Sequence, residues 1–320
     1  MARERARRVA EVKELLGDDL AKVLAREGAE SYFVDSNIRR YLEANDNDAG
    51  TAAALLRAAM AWREERGLHS VRARLMEVCA TGRQPALSDL THYETVCAEF
   101  FVGAFSFFAK AKGGNLFDVN LLGRSDPVTA VRSVSGDVFD VFWIEWLESL
   151  NVQLTLLQRE RDVAASSVPP LTGSSTSGGS ASGVAGARPG AGAGGGASPA
   201  APSSTTAATL SRLHLLLDFR DVSTAHLHNN CMRFFFQHIT SGAWKYYPEC
   251  IGSMHCSSGN WILHATIAII GPFAPRKVSA SVGRTSAHHG ARSSSCLSLS
   301  LSLSLSLFLV LSHTAPLVTT

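Results

Sequence analysis

The sequence predicts an α/β protein in which an all-helical N-terminal cap precedes a mixed sheet flanked by helices. Two observations carry this prediction. Apolar residues recur at helical spacing through most of the first 66 residues. After residue 115, short β-branched runs alternate with segments of helical spacing, which is typical of βαβ units.

Helices are expected throughout the N-terminal part. Residues 1–30 place apolar side chains three and four positions apart, and we expect one helix with a break near Gly17. Residues 35–66 predict two helices joined by the turn-rich NDNDAG, with Asp35 or Ser36 as the cap of the first. The stripe of the first helix consists of Val9, Val12, Leu16, Leu20 and Val23.

The middle of the chain changes in character. A phenylalanine-rich helix is expected over residues 85–109, and the runs NLFDVNLLG and PVTAVRSVS predict strands. From Asp137, the segment DVFDVFWIEWLESLNVQLTLLQRER returns to helical spacing with a broad apolar face. Its polar residues are expected mostly on the other side, namely Asp140, Glu145, Glu148 and Gln158.

Later elements continue the alternation. RLHLLLDF is a continuous apolar run and predicts a buried parallel strand. The segment from Val222 to Trp244 predicts a helix capped by Ser223 or Thr224, and WILHATIAII predicts a short buried helix.

Two segments do not read as part of a packed domain. Residues 164–209 are rich in Gly, Ser, Ala and Pro, and they predict a disordered insert. Residues 280–320 begin without a pattern and end in a Leu-Ser alternation, which predicts a disordered tail outside the domain. A CT dinucleotide repeat in the gene encodes such an alternation, and the codons of Val278-Ser279 can match a splice donor. A retained intron or a faulty gene model is therefore the favoured source of the tail. A membrane anchor is the alternative, although serine interrupts the roughly 20 apolar residues that an anchor needs.

Composition and motifs argue against several classes of protein. The formal charge of +2 does not indicate a nucleic-acid partner, and six cysteines without a CxxC pair favour a reduced, cytoplasmic compartment. No GxSxG, GK[ST] or strand-associated GxGxxG motif occurs, so no enzyme activity and no cofactor are expected. A zinc site is a weak alternative because its spacings match no tight motif, and it would draw on His226, His228, Cys231, Cys250 and Cys256.

Five motifs in a shared order resemble the CRAL-TRIO family of lipid-transfer proteins. A helical element ends in WREE at residues 62–65, and GRSDPV is similar to a Gly-Arg-Pro-Val signature with Ser125 and Asp126 inserted. LLLDFRDVS resembles a family strand, with Asp221 where glycine is usual. YYPECIG matches closely, and NWILHATIAIIGPFAPRK is similar to the run that follows, with Asn260 at a proline position.

The resemblance implies a deep apolar pocket floored by the sheet and closed by a gate helix that touches the membrane. The gate would span Trp261 to Phe273, and an alternative role of these residues is simple core packing. The candidate pocket or membrane contacts are Trp261, Ile262, Ile267, Ile269, Ile270 and Phe273. Glu249 matches a glutamate near the headgroup machinery of some members, but pairing with a base near the turn is the favoured reading. Lys277 lies near an expected lysine without aligning to it.

The predicted cargo is a lipid, either a phosphoinositide or a more hydrophobic molecule. Leucines at positions 213 and 215 stand where hydroxyls are expected, which disfavours phosphatidylinositol. A cytoplasmic carrier that visits membrane surfaces is therefore expected, and a degenerate scaffold or interaction module without transfer activity is the alternative. The domain plan is a helical region over 1–84 with its family-like part at 33–68, a lipid-binding domain in two parts, and the insert and tail. Those two parts are residues 85–163 and 210–279.

Overall fold

A computed structural model gives the arrangement of most of the chain. The description covers residues 2–99, 109–111, 114–167, 209–227, 229–238, 243–257, 283–284 and 297–299. The expected insert falls outside these residues except at its two ends, and so does the expected gate.

The first helix, α1 (Ala2–Glu27), confirms the predicted stripe and its break. Gly17 has φ 50° and ψ −127° inside the helix, a conformation that glycine adopts without steric cost. The apolar stripe is buried on both sides of this kink, because α1 packs against the two helices that follow. Its buried members are Val9, Val12, Leu16 and Leu20.

The predicted pair of helices is also confirmed, as α2 (Asp35–Ala44) and α3 (Ala49–Glu65). The expected cap of α2 is wrong, because the N-cap residue is Val34 and its side chain makes no capping bond. In contrast, the Asp48 carboxylate accepts a hydrogen bond from the Gly50 amide and caps α3.

Two more helices complete the N-terminal region. The helix α4 (Leu68–Ala80), which the sequence pattern did not predict, packs against the long helix of the second half. The helix α5 (Tyr93–Glu99) occupies part of the predicted phenylalanine-rich helix. Residues 100–108 of that prediction lie outside the described part of the chain.

One mixed sheet forms the second half, in the order β1-β2-β3-β4-β6-β5. Its three central strands are parallel, and β1 and β6 pair with them in antiparallel fashion. The strands are β1 (Ala109–Lys110), β2 (Leu116–Leu121), β3 (Leu213–Asp218), β4 (Ile251–Ser257), β5 (Gly283–Arg284) and β6 (Leu297–Leu299). The predicted strands at NLFDVNLLG and RLHLLLDF are therefore confirmed, and the second is parallel as expected.

The second predicted strand of that region is wrong, because PVTAVRSVS contains the helix α6 (Pro127–Ser133). Asp126 precedes the helix, and its carboxylate accepts from the Thr129 amide. Pro127 occupies the first helical turn, where its fixed φ favours helix and its missing N–H costs nothing. These local signals outweigh the β preference of the valines.

The long helix α7 (Gly136–Ser166) confirms the predicted helix but corrects its polar face. Glu145, Glu148 and Gln158 are all buried, with Glu148 fully inaccessible to solvent. The reason is that α7 contacts α2, α4, α5 and α8 (Asn229–His238), so it is enclosed on most sides. No helix in the described part of the chain is long and apolar enough to cross a membrane.

The helix predicted after β3 is shorter than expected. Residues Thr224–Leu227 form a 3-10 turn, and α8 begins only at Asn229. Ser223 bonds to the ring of His226 instead of capping α8, so both proposed caps are wrong.

Two short strands lie within the segment that was expected to stay outside the domain. The strand β6 pairs with β4 through Leu297, Ser298 and Leu299, and β5 pairs with β6. The alternation of Leu and Ser has the period of a strand, which suits this pairing. The structure departs from the predicted tail at these residues.

Candidate functional site

A buried cluster of polar residues joins the N-terminal helices to the sheet region, and Glu148 of α7 is its centre. The Glu148 carboxylate accepts from both terminal nitrogens of Arg63, at 2.7 and 3.0 Å. It also accepts from Arg72 at 2.9 Å and from the Tyr247 hydroxyl at 2.6 Å. Arg63 and Tyr247 belong to the WREE and YYPECIG motifs, so two motifs far apart in sequence share one partner.

The charges of this cluster determine its protonation. Burial alone would raise the pKa of Glu148, but the guanidinium groups of Arg63 and Arg72 outweigh it and lower the pKa to about 2. The glutamate is therefore ionised between two buried cations. The same environment raises the pKa of Tyr247 well above its usual value, chiefly through burial. The phenol therefore stays protonated, and its hydroxyl donates a hydrogen bond to Glu148.

Aromatic residues extend the contact between the two halves. The hydroxyl groups of Tyr32 and Tyr41 both donate to the backbone carbonyl of Tyr246, the latter at 2.8 Å. The indole of Trp62 stacks on the Tyr246 ring with centroids 4.5 Å apart. This interface makes the YYPECIG turn a docking point for α2 and α3.

A second motif contact lies at the end of β3. Gly123, from GRSDPV, lies so close to the turn at residues 220–222 that an added Cβ would be 1.9 Å from the Arg220 carbonyl oxygen. Asp221 in that turn has φ 65°, the left-handed conformation for which glycine is usual. The turn of the LLLDFRDVS motif therefore leaves no room for a side chain at Gly123 of the GRSDPV motif.

The two faces of the sheet differ in burial, because one face packs against the helices and the other is partly exposed. Leu116, Leu213 and Ile251 lie on one face and are buried in the hydrophobic core with the helices. The opposite face, which we call the open face, carries an apolar strip beside a polar one. The strand registers place on it Phe117, Val119, Leu121, His214, Leu216, Asp218, Ser253 and His255. Phe117 is 39% exposed, although it is a large apolar residue in the middle of a strand.

A comparison with protein families matches residues 203–287 to the CRAL/TRIO domain. The chain contains a CRAL/TRIO domain. The match spans β3, α8, β4 and β5, whereas β2, α7 and the N-terminal helices lie before it. No curated protein matches the chain.

Most of the expected lipid-contact residues of this CRAL/TRIO domain lie outside the described part of the chain. This applies to every candidate in the expected gate and to Lys277, so their roles stay predictions. The leucines at positions 213 and 215 are described, and they lie on the core face of β3. The open-face positions of this strand are instead His214, Leu216 and Asp218.

Glu249 is held on the helical side of the CRAL/TRIO domain. Its carboxylate pairs with Arg212 at 2.9 Å, and its carbonyl oxygen accepts from Arg40 at 2.7 Å. Arg212 also binds Glu43 at 2.8 Å. With φ 53°, Glu249 forms the turn that leads into β4. The glutamate therefore has the structural ion pair that the sequence favoured, and a role near a lipid headgroup stays a prediction.

A separate groove of about 1090 Å³ lies between α4 and α7, away from the sheet. Its wall includes apolar side chains such as Met76 and Leu156, but its rim is acidic. The acidic residues are Glu27, Glu30, Glu77 and Glu160, against one arginine at position 159. This rim disfavours an anionic lipid, so the open face is the better candidate for lipid binding.

Proposed function

We propose that this protein is a lipid carrier that holds one amphipathic or apolar lipid against the open face of its sheet. The observation that carries the proposal is the CRAL/TRIO match, because domains of this family are in general lipid binders rather than enzymes. The open face supports it with an exposed phenylalanine and partly buried aliphatic side chains at its centre.

The physical task of such a carrier is to replace the bilayer around the lipid chain. Each methylene that enters water costs about 0.8 kcal/mol, so a chain must pass from one apolar environment to another. The proposed pocket lies between the open face and a gate formed by Trp261–Phe273. The gate opens at a membrane surface and closes over the cargo, because a permanently open pocket would expose an apolar wall. The proposed location is the cytoplasm, with transient binding to membranes.

Retention of lipid is the direct test. The purified protein is incubated with liposomes of mixed composition, and native mass spectrometry then measures whether one lipid stays bound. Transfer between donor and acceptor vesicles tests the carrier activity. If a folded protein retains no lipid of any class, the scaffold alternative replaces the carrier.

Two substitutions of equally exposed apolar residues locate the pocket. Phe117→Asp places a charge on the open face, and it should abolish lipid retention because an unpaired charge in a dry site is very costly. Val141→Asp is the matched control, because Val141 is 38% exposed and lies on α7 instead. Equal effects of the two variants would contradict a pocket at the open face.

The gate has its own variant and control. Ile267→Asp combined with Ile270→Asp should abolish uptake for the same reason, whereas Lys277→Ala should leave it nearly unchanged. Full uptake by the double variant would remove the gate from the proposal.

A further inference from the structure

Three polar side chains on the open face form a continuous hydrogen-bonded row. The Nδ1 atom of His214 lies 2.6 Å from the Ser253 hydroxyl oxygen. That oxygen lies 2.9 Å from Nε2 of His255. All three residues are partly buried, and none of them takes part in the Glu148 cluster. We call this row the His–Ser–His cluster.

The backbone is built to create this cluster. Leu213 pairs with Ile251, but His214 pairs with Ser253, so Gly252 is an extra residue in β4. Such a bulge shifts every later side chain of the strand to the other face, which brings Ser253 and His255 to the side of His214. A Cβ at Gly252 would lie 2.9 Å from the Arg212 Cβ, so the bulge requires glycine.

The hydrogen-bond inventory of the cluster fixes what it offers to a ligand. The Ser253 hydroxyl has one proton, so it donates to one imidazole and accepts from the other. The imidazole that accepts from the hydroxyl carries its proton on its other ring nitrogen. The imidazole that donates to the hydroxyl has a lone pair on its other ring nitrogen. In either orientation of the hydroxyl, two neutral rings present one donor and one acceptor. A ligand hydroxyl has the complementary pair.

The electrostatic surroundings of the cluster disfavour a positive charge on His214. Burial, followed by the nearby His255 and Arg212, lowers the pKa of His214. The charge of Arg212 is itself compensated by its ion pairs with Glu43 and Glu249. A neutral His214 beside Ser253 favours a neutral polar group over a phosphate, which needs cationic partners.

Apolar side chains adjoin the cluster on the same face. The ring of Phe117 stacks on His214 with centroids 5.5 Å apart, and Leu216 lies next along β3. A chain that extends from the cluster toward β2 would therefore meet Phe117, Val119 and Leu121.

We propose that the His–Ser–His cluster binds the polar end of the cargo, and that this cargo is a lipid with a terminal uncharged hydroxyl group. The assignment rests on the proposed carrier function, because it names the polar anchor of the same pocket. It predicts that the hydroxyl contributes to affinity through Ser253 and its two histidines, while the apolar strip holds the chain.

The test compares three probes offered to the full chain from phosphatidylcholine vesicles: hexadecanol, hexadecane and phosphatidylinositol. One well-formed hydrogen bond corresponds to about a tenfold preference for hexadecanol over hexadecane. Ser253→Ala should remove this preference and leave hexadecane binding unchanged. Ser223→Ala, an exposed serine away from the cluster, should behave as the unmodified protein.

A measurement without any substitution keeps the proposal testable if a variant fails to fold. Protonation of His214 as the pH is lowered below neutral removes the acceptor, so the preference for hexadecanol over hexadecane should fall. Hexadecane binding serves as the control for general loss of the pocket.

The outcomes separate this proposal from the carrier function. If no probe binds, the carrier function itself fails. If hexadecane and hexadecanol bind equally, or if Ser253→Ala keeps the preference, the protein carries lipid but the cluster is not its polar anchor. A stronger binding of phosphatidylinositol than of hexadecanol would also overturn the assignment.

Discussion

Replacing Glu148 with glutamine should destabilise the protein strongly at neutral pH. The substitution keeps the shape of the side chain but removes the charge that lies between Arg63 and Arg72, both of them buried. Breaking a buried ion pair by removing one partner costs about 3–5 kcal/mol, because the remaining charge stays unpaired. We therefore expect the free energy of unfolding to fall by about that amount at pH 7.

The pKa of Glu148 gives an independent magnitude. Its value of about 2 in the folded protein lies below the ordinary 4.5, so the ionised carboxylate stabilises the fold. A shift of that size corresponds to about 3 kcal/mol. This stability is fully present above pH 4.5 and is lost as the pH falls toward 2, and roughly 2 kcal/mol of it should be gone at about pH 3.

The assay is urea unfolding of both proteins at several pH values between about 7 and 3. Because other carboxylates titrate in both proteins, the difference between the two curves isolates Glu148. Glu160→Gln is the matched control on the same helix, since Glu160 is 61% exposed and pairs with Lys110 at the surface. It should change stability by less than about 1 kcal/mol. A Glu148→Gln protein as stable as its parent, or a difference that stays constant with pH, would refute the reasoning.

Three further substitutions test the contacts that hold the elements together, each measured by urea unfolding. Tyr247→Phe removes the hydroxyl that donates to Glu148 and should cost about 1–3 kcal/mol, whereas an unchanged stability would contradict the hydrogen bond. Asp126→Ala removes the cap of α6 and should cost about 1 kcal/mol, with Asp126→Asn expected to recover most of it. Phe139→Ala opens a cavity where α7 meets Phe234 and should cost about 3–5 kcal/mol; a cost below 1 kcal/mol would contradict this packing.

Periodicity alone predicted several elements correctly. The first helix has one apolar stripe and packs on one side, so the spacing of its apolar residues is enough to predict which residues are buried. The strand β3 has apolar residues at four of its six positions, three of them consecutive, which suits a central strand with neighbours on both edges. In both cases one regular pattern corresponds to one regular environment.

The buried acids of α7 show where that reasoning fails. A helix with a single packed face keeps its charges on the other side, but α7 contacts helices around most of its surface. A useful signal was still present, because Arg63 continues the buried stripe of Ala52, Leu56 and Ala59 at helical spacing. Glu148 likewise lies among the apolar residues of α7. Two opposite charges at otherwise apolar positions indicate a buried pair, although the sequence does not say which charges meet.

The strand β4 was missed for a different reason. Its sequence IGSMHCS mixes polar and apolar residues without clear alternation, because Gly252 adds one residue and shifts the pattern by one position. The polar side chains that make the run unlike a buried strand are the ones that lie on the open face. The extra residue Gly252 therefore both obscures the alternation of β4 in the sequence and brings Ser253 and His255 beside His214.

The family motifs describe the fold more than the cargo. WREE and YYPECIG meet at Glu148, and the glycine of GRSDPV is required by the turn after β3. A carrier and a scaffold would both need these contacts, so the two hypotheses differ at the open face. A carrier should therefore show two separable defects, with Phe117→Asp abolishing lipid retention at nearly unchanged unfolding free energy. Glu148→Gln should do the reverse, lowering the unfolding free energy while the protein that stays folded still retains lipid.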